Sequence, residues 1–240
     1  MTYIIAEAGI NHNGDMSLAL RLVDEAAAAG ADAVKFQLYD SENLAPPGEK
    51  RDMLKTYQLT AAHMQMLCAY SRQKGIEFLC TPFDEQSADA LEPLVSRYKI
   101  GSGQANDVHF LCHVASKGKP IILSTGMSEF ADIRHVLGAI DVPVTLLHCV
   151  SQYPTPPEKA NLARMVQMKR SFAAPIGYSD HTEGIAVALA AVALGAEVIE
   201  KHITLDKFMP GPDHKASITP AELVSLVAGI REIEKAIEPV

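Results

Sequence analysis

Eight short apolar runs alternate with helical patterns along this chain, at residues 3–8, 33–38, 77–80, 98–101, 120–124, 144–149, 175–178 and 197–203. Short apolar runs bounded by turn residues read as buried strands. Between them apolar residues recur at helical spacing, as at Leu18, Leu22, Val23 and Ala26, and at Ile133, Val136, Leu137 and Ile140. Such alternation lays helices over a parallel sheet, either open and doubly wound or closed into a barrel. Eight units in one chain fit the closed (β/α)8 TIM barrel. A length of 240 residues suits one such domain, and an apolar fraction of 48% can fill its core. The last helix carries its own start signal. Thr219-Pro220-Ala221-Glu222 spells a capping box with proline at the first helical position, and Ile218 and Leu223 can staple it. One connection is long, residues 39–59, rich in proline, glycine and charge. It is expected to be a lid or binding loop.

Charge and composition exclude several classes. A net charge of −8 argues against general affinity for nucleic acid or an anionic membrane, although a local basic pocket can still hold an anionic substrate. Cys68, Cys80, Cys112 and Cys149 show no C-x-x-C spacing and follow no signal peptide, so reduced thiols in a cytoplasmic protein are expected. No apolar run approaches the roughly 18 residues that span a bilayer.

Polar residues cluster where the apolar runs end. Gly177-Tyr178-Ser179-Asp180-His181-Thr182, Glu200-Lys201-His202 and Gly211-Pro212-Asp213-His214 are the clearest. Side chains along a barrel strand alternate between lumen and helices. With Val34 and Phe36 facing the helices, Lys35 and Gln37 face the lumen. The same parity turns Glu7 inward with Ile5, turns Glu200 and His202 inward with Val198, and turns Lys201 outward. Barrel active sites lie at the C-terminal strand ends, where these residues fall.

Lys35 and Lys99, with Thr81, Ser124, Thr125 and Ser179, form a set of cations and hydroxyls suited to a phosphate or carboxylate. Taken singly, Lys35 also reads as a strand-end lysine reaching solvent. His181 and His202 suit a divalent ion with positions left open for water and substrate. For an isolated pair, hydrogen-bonded core histidines are the first reading. Asp180, Glu200 and Asp213 nearby move it towards function, as ligands, their supports or bases. His12 and His148 also stand at strand ends, while His63 and His135 read as helix-surface residues. Gly101-Ser102-Gly103 and Ser124-Thr125-Gly126 permit tight turns or close approach to a ligand but are not a P-loop.

The motifs, taken in order, resemble the N-acetylneuraminate (sialic acid) synthase family. They are Ala6-Glu7-Ala8-Gly9-Ile10-Asn11-His12-Asn13-Gly14, Lys35-Phe36-Gln37, Thr81-Pro82-Phe83, Lys99-Ile100-Gly101-Ser102, Ser124-Thr125-Gly126-Met127, His148-Cys149, Tyr153-Pro154-Thr155-Pro156, and the three polar clusters above. The resemblance implies a TIM barrel that condenses phosphoenolpyruvate with an N-acylated amino-sugar aldehyde, such as N-acetylmannosamine, with loss of phosphate. It implies that Lys35, Thr81, Lys99, Ser102, Ser124 and Ser179 hold phosphoenolpyruvate. It implies that His181 and His202 bind a divalent ion, manganese with magnesium as the alternative. It places Glu7, Gln37, Tyr153 and Asp213 around the sugar and the reacting centre, and makes Glu7, Lys35, Lys99, His181 and His202 the catalytic set. Two substrate-side positions depart from the pattern. Gln104 stands where the sialic acid synthases carry a glutamate, and Ser151 where several bacterial members carry asparagine. Family members usually continue into a C-terminal antifreeze-like domain. This sequence stops at Val240, so a single barrel domain over residues 1–240 without it is expected. A homodimer is expected, with no nucleic-acid or membrane partner. Two other readings remain: a Schiff-base aldolase acting through Lys35 or Lys99, and a non-catalytic binding or regulatory subunit.

Overall fold

A computed structural model describes residues 1–237. Eight strands run through them: β1 (Tyr3–Gly9), β2 (Ala33–Leu38), β3 (Glu77–Pro82), β4 (Tyr98–Ile100), β5 (Ile121–Ser124), β6 (Val144–Cys149), β7 (Ile176–Asp180) and β8 (Val198–His202). Their order is β3-β2-β1-β8-β7-β6-β5-β4, with parallel neighbours throughout. The two ends of that order, β3 and β4, pack side by side, so the sheet is a nearly closed (β/α)8 barrel.

The helices are α1 (Met16–Ala28), α2 (Ser41–Leu44), α3 (Glu49–Tyr57), α4 (Ala61–Lys74), α5 (Glu85–Leu91), α6 (Val108–Ala115), α7 (Phe130–Ala139), α8 (Leu162–Ser171), α9 (Ala186–Ala193) and α10 (Pro220–Ile237). Local chemistry starts several of them. Asp15, Asp84 and Asp107 each accept a hydrogen bond from the backbone of the first turn they precede. At α10 the expected box forms. Thr219 N donates to Glu222 Oε2 at 2.7 Å and Glu222 N to Thr219 Oγ1 at 3.4 Å, while Ile218 and Leu223 are both buried. His63 is more than a surface residue, because its ring closes a capping box with Thr60 at the start of α4.

Two apolar layers follow from strand alternation. The outer one, between strands and helices, holds residues such as Ile4, Phe36, Phe78, Leu22 and Leu67. The inner one is a plug of Ile5, Ala33, Leu79, Ile122, Leu147 and Val198, contributed by six strands to the lower lumen. Gly177 is the inward residue of β7 at this level. A Cβ there would stand 2.4 Å from Val198 O and 2.7 Å from Leu147 Cδ2, so its larger neighbours already occupy that volume. Above the plug the inward side chains turn polar, and this layer is the floor of the site.

The structure corrects two boundaries read from sequence. β3 and β7 each run two residues beyond their apolar runs, through Thr81-Pro82 and Ser179-Asp180. Thr81 and Ser179 face the lumen and Asp180 is paired in the wall, so these strand ends keep the ladder without showing in an apolar pattern. Residues 39–59 are not an open loop. They contain α2 and α3, tied down by Tyr39 Oη to Leu54 O (3.0 Å), Arg51 Nε to Ala45 O (2.7 Å) and Ser41 N to Gln58 Oε1 (2.9 Å). Among the described residues no helix is long and apolar enough to cross a membrane.

Candidate active site

A cleft of about 580 Å³ opens at the C-terminal end of the barrel. Fourteen residues expected at a site line it: Glu7, Lys35, Gln37, Thr81, Lys99, Ser102, Gln104, Ser124, Ser151, Tyr153, Ser179, His181, His202 and Asp213; Thr125 does not, its hydroxyl donating to Leu147 O at 3.0 Å. They come from the ends of seven strands and from the loops that follow β4, β6, β7 and β8.

The floor is a charge network. Lys35 does not reach solvent, being only 3% exposed. Its ammonium lies 2.9 Å from Glu7 Oε2, 3.5 Å from Glu200 Oε2 and 3.1 Å from Thr81 Oγ1. Lys99, equally buried, lies 3.4 Å from Glu200 Oε1 and donates to Ser124 Oγ at 2.8 Å. Glu200 therefore bridges the two lysines, and Ser179 Oγ donates to it at 2.7 Å. Burial would raise its carboxyl, but Lys35, Lys99 and Ser179 together hold it below the usual carboxylate range. Burial pushes the Glu7 carboxyl up to about 7 against the pull of Lys35. Burial also lowers Lys99, whereas for Lys35 its effect is outweighed by Glu200 and Glu7, which push the ammonium up.

Beside this floor stand the two imidazoles, ring centroids 5.6 Å apart. His181 Nδ1 donates to Val150 O at 2.7 Å, which leaves Nε2 with a free lone pair. His202 Nδ1 is buried without a hydrogen-bond partner, 3.9 Å from Asp213 Oδ2. Burial lowers both rings, His202 well below the ordinary value with help from His181 and Lys35, so both are neutral. Burial pushes Asp213 up to about 6. The Tyr153 ring covers His181 at 4.0 Å and meets His202 edge-on at 5.6 Å. Two neutral imidazoles side by side in the cleft fit a divalent ion chemically. No group of three or more His, Cys, Asp or Glu among the described residues could hold one, so water and substrate would complete its shell.

Gly9 ends β1 at a break in register, with φ of +53°. A Cβ there would stand 3.2 Å from Glu7 Oε1 and 3.4 Å from Gln37 Nε2. Gly9→Ala is expected to cost about 1–2 kcal/mol through its left-handed backbone, and to displace Glu7. Thermal unfolding beside wild type checks this; an unchanged midpoint would show that the turn relaxes without strain.

A family model described as the NeuB family matches residues 22–239. The chain belongs to the NeuB family. It is 45% identical to an N,N'-diacetyllegionaminic acid synthase from Campylobacter jejuni, over 98% of this chain and 77% of the relative. It is 38% identical to an N-acetylneuraminate-9-phosphate synthase from Mus musculus, over 98% of this chain and 71% of that one. A crystal structure of N-acetylneuraminic acid (sialic acid) synthetase from Leptospira borgpetersenii serovar Hardjo-bovis in complex with citrate superimposes with a TM-score of 0.96 at 39% identity. That match covers all of this chain and 87% of the other.

In this NeuB-family chain each polar cluster splits by parity. Ser179 and His181 face the cleft, but Asp180 does not. It lies in register with Lys201 on β8, and the two form a fully buried pair at 2.8 Å between strands and helices. Asp180 is thus neither ligand nor base in the cleft, and the lysine that follows Glu200 belongs to the wall. His214 also turns away, bonding to Thr204 Oγ1 at 2.7 Å and Asn13 Oδ1 at 3.1 Å. His148 points to the helix side and bonds to Ala160 O, while His12 Nδ1 accepts from Gly14 N. Sequence reasoning left Lys50, Phe83, Met127 and Cys149 out of the site, and all four line the cleft, together with Glu200. Parity had placed Glu200 inward and would have found Cys149 beside Leu147. Lys50 lies on α3, inside the segment read as a loop, and no sequence pattern points to it.

Proposed function

We propose that this chain condenses phosphoenolpyruvate with the open-chain aldehyde of an N-acylated amino sugar, forming a sialic- or legionaminic-type nonulosonic acid and releasing phosphate. Its family membership supports a synthase of this kind. The observation that carries the reading is the pair of buried lysines, set among Thr81, Ser124 and Ser179, beside two neutral imidazoles in one cleft. Lys35 and Lys99 bind the carboxylate and phosphate as point charges, and the hydroxyls add donors. The enol C3 of phosphoenolpyruvate bonds to the aldehyde carbon, whose oxygen gains a proton. Water adds at C2, and the C2–O bond to phosphate breaks. Glu7, held between Lys35 and Gln37, is placed to exchange a proton with that water. His181 and His202 would hold a divalent ion, manganese or magnesium, which when bound polarises a carbonyl as a Lewis acid. Gln104, whose Oε1 is buried without a partner, accepts a hydrogen bond from a sugar hydroxyl or amide and cannot serve as a base.

Phosphate release from phosphoenolpyruvate with a panel of aldehyde sugars and manganese tests the reading. Activity on none of them, together with borohydride trapping of pyruvate on the protein, would replace it with a Schiff-base aldolase. Lys99 is the residue for that chemistry, because burial depresses its ammonium whereas that of Lys35 is raised. Lys35→Ala and Lys99→Ala are each expected to raise the phosphoenolpyruvate KM by about 10- to 150-fold, one charge-assisted contact apiece, and the sugar KM far less. Equal effects on both substrates would remove the lysines from the phosphoenolpyruvate site.

A further inference from the structure

A second cavity, of about 370 Å³, lies directly outside the first, between the loops that follow β5 and β6. Met127 and Cys149 border both cavities, so one wall divides them. Its lining is basic where the main cleft is balanced. Arg164 is fixed in place, donating to Ser128 O at 2.6 Å with its guanidinium 4.9 Å from the centre of the Phe130 ring. The nearest carboxylate, Glu129 at 3.8 Å, is 84% exposed and screened by water. Lys159 meets only the amide oxygen of Gln152, at 3.5 Å, and forms no ion pair among the described residues. α8 begins here. Asn161 at its N-cap holds φ of +48° and its side chain makes no capping bond; its carbonyl accepts from Arg164 N at 2.9 Å, while the Leu162 and Ala163 N–H groups stay uncapped.

The other side of the cavity adds an independent signal. His148 is 2% exposed. Its Nε2 donates to Ala160 O at 2.8 Å, which leaves Nδ1 as an acceptor, and that atom has no partner among the described residues. Two cations and a helix N-terminus attract an oxyanion. A bare imidazole acceptor beside them accepts a hydrogen bond from a hydroxyl or a protonated phosphate oxygen. A phosphate that keeps one proton, free or as a monoester, offers both.

We propose that this cavity is a second phosphate-binding site, formed by Lys159, Arg164, the α8 N-terminus and His148 and separate from the phosphate subsite of the main cleft. Two sources carry the same chemistry: the terminal phosphate of a phosphorylated acceptor sugar reaching past Met127, or free inorganic phosphate. The first source rests on the proposed reaction; the site itself does not.

The test uses the Lys159→Gln/Arg164→Gln double variant, neither residue of which lines the main cleft, with Lys99→Ala as the complementary variant. Inorganic phosphate is titrated into each by calorimetry, and thermal unfolding verifies that each is folded. Wild type is expected to show two binding events. The double variant should lose one, weakened about tenfold or more for each cation removed, and keep the one that Lys99→Ala loses. His148→Phe, which removes the acceptor and keeps the ring volume, should weaken the same event. A single event untouched by the double variant would overturn the site. In the second arm, turnover is compared with N-acetylmannosamine and its 6-phosphate. A rise in KM confined to the phosphorylated sugar in the double variant assigns the site to the acceptor. Loss of phosphate binding with unchanged sugar kinetics assigns it to free phosphate. The calorimetric arm needs no turnover, so failure of the proposed reaction and failure of this site are read separately.

Discussion

Turnover is expected to fall by about a thousandfold or more in His181→Ala and in His202→Ala, with divalent-ion binding lost in both. The two imidazoles are the neutral nitrogen donors that line the cleft together, and no third ligand among the described residues can compensate for either. The fold should survive. His181 forfeits one hydrogen bond to Val150 O, about 1 kcal/mol, and His202 Nδ1 has no partner to lose. Calorimetric titration of manganese reads the ion, circular dichroism reads the fold, and phosphate release reads the chemistry. Full manganese occupancy in the double variant would remove these histidines from the metal site.

Lys201→Met should be the most destabilising single change in the barrel wall, at about 3–5 kcal/mol. Lys201 and Asp180 are both fully buried, and the lysine also donates to Thr182 O. Thr182 N in turn donates to Asp180 Oδ1 at 2.9 Å, which closes a small network across the ends of β7 and β8. Removing the cation alone strands a carboxylate in the wall, and that unpaired charge is the cost. Replacing both residues, as in Asp180→Leu/Lys201→Met, should recover much of the loss, because two apolar side chains need no partner. The midpoint of thermal unfolding should drop on the order of 10 °C in the single variant. A loss under about 1 kcal/mol by denaturant titration would mean that water reaches the pair.

Strand parity explains why so much of the site could be read early. Successive side chains on a strand point to opposite faces whatever the rest of the chain does. Knowing that Val34 and Phe36 pack outward is therefore enough to turn Lys35 and Gln37 inward, and the cleft contains both. The same local rule placed Glu7, Glu200 and His202 inside and Lys201 outside. What misled was polarity, read as a sign of function regardless of face. Asp180 sits between two cleft residues and points the other way, because its neighbours on β7 alternate around it.

By itself, the sequence determined the eight-fold alternation, the side of the barrel each strand residue faces, and the α10 cap. Each depends on dihedral geometry within a few residues. The tertiary structure alone decided which inward residues meet. Glu200 lies between Lys35 and Lys99 because β8, β2 and β4 converge around a closed barrel at matching heights. That height is set by the register of neighbouring strands, including the break at Gly9. Tertiary packing likewise folded residues 39–59 into α2 and α3 and brought Lys50 to the mouth of the cleft, where no periodicity of its own could have placed it. Strand periodicity is local, but charge pairing depends on distance through space, which the chain acquires only when the barrel closes.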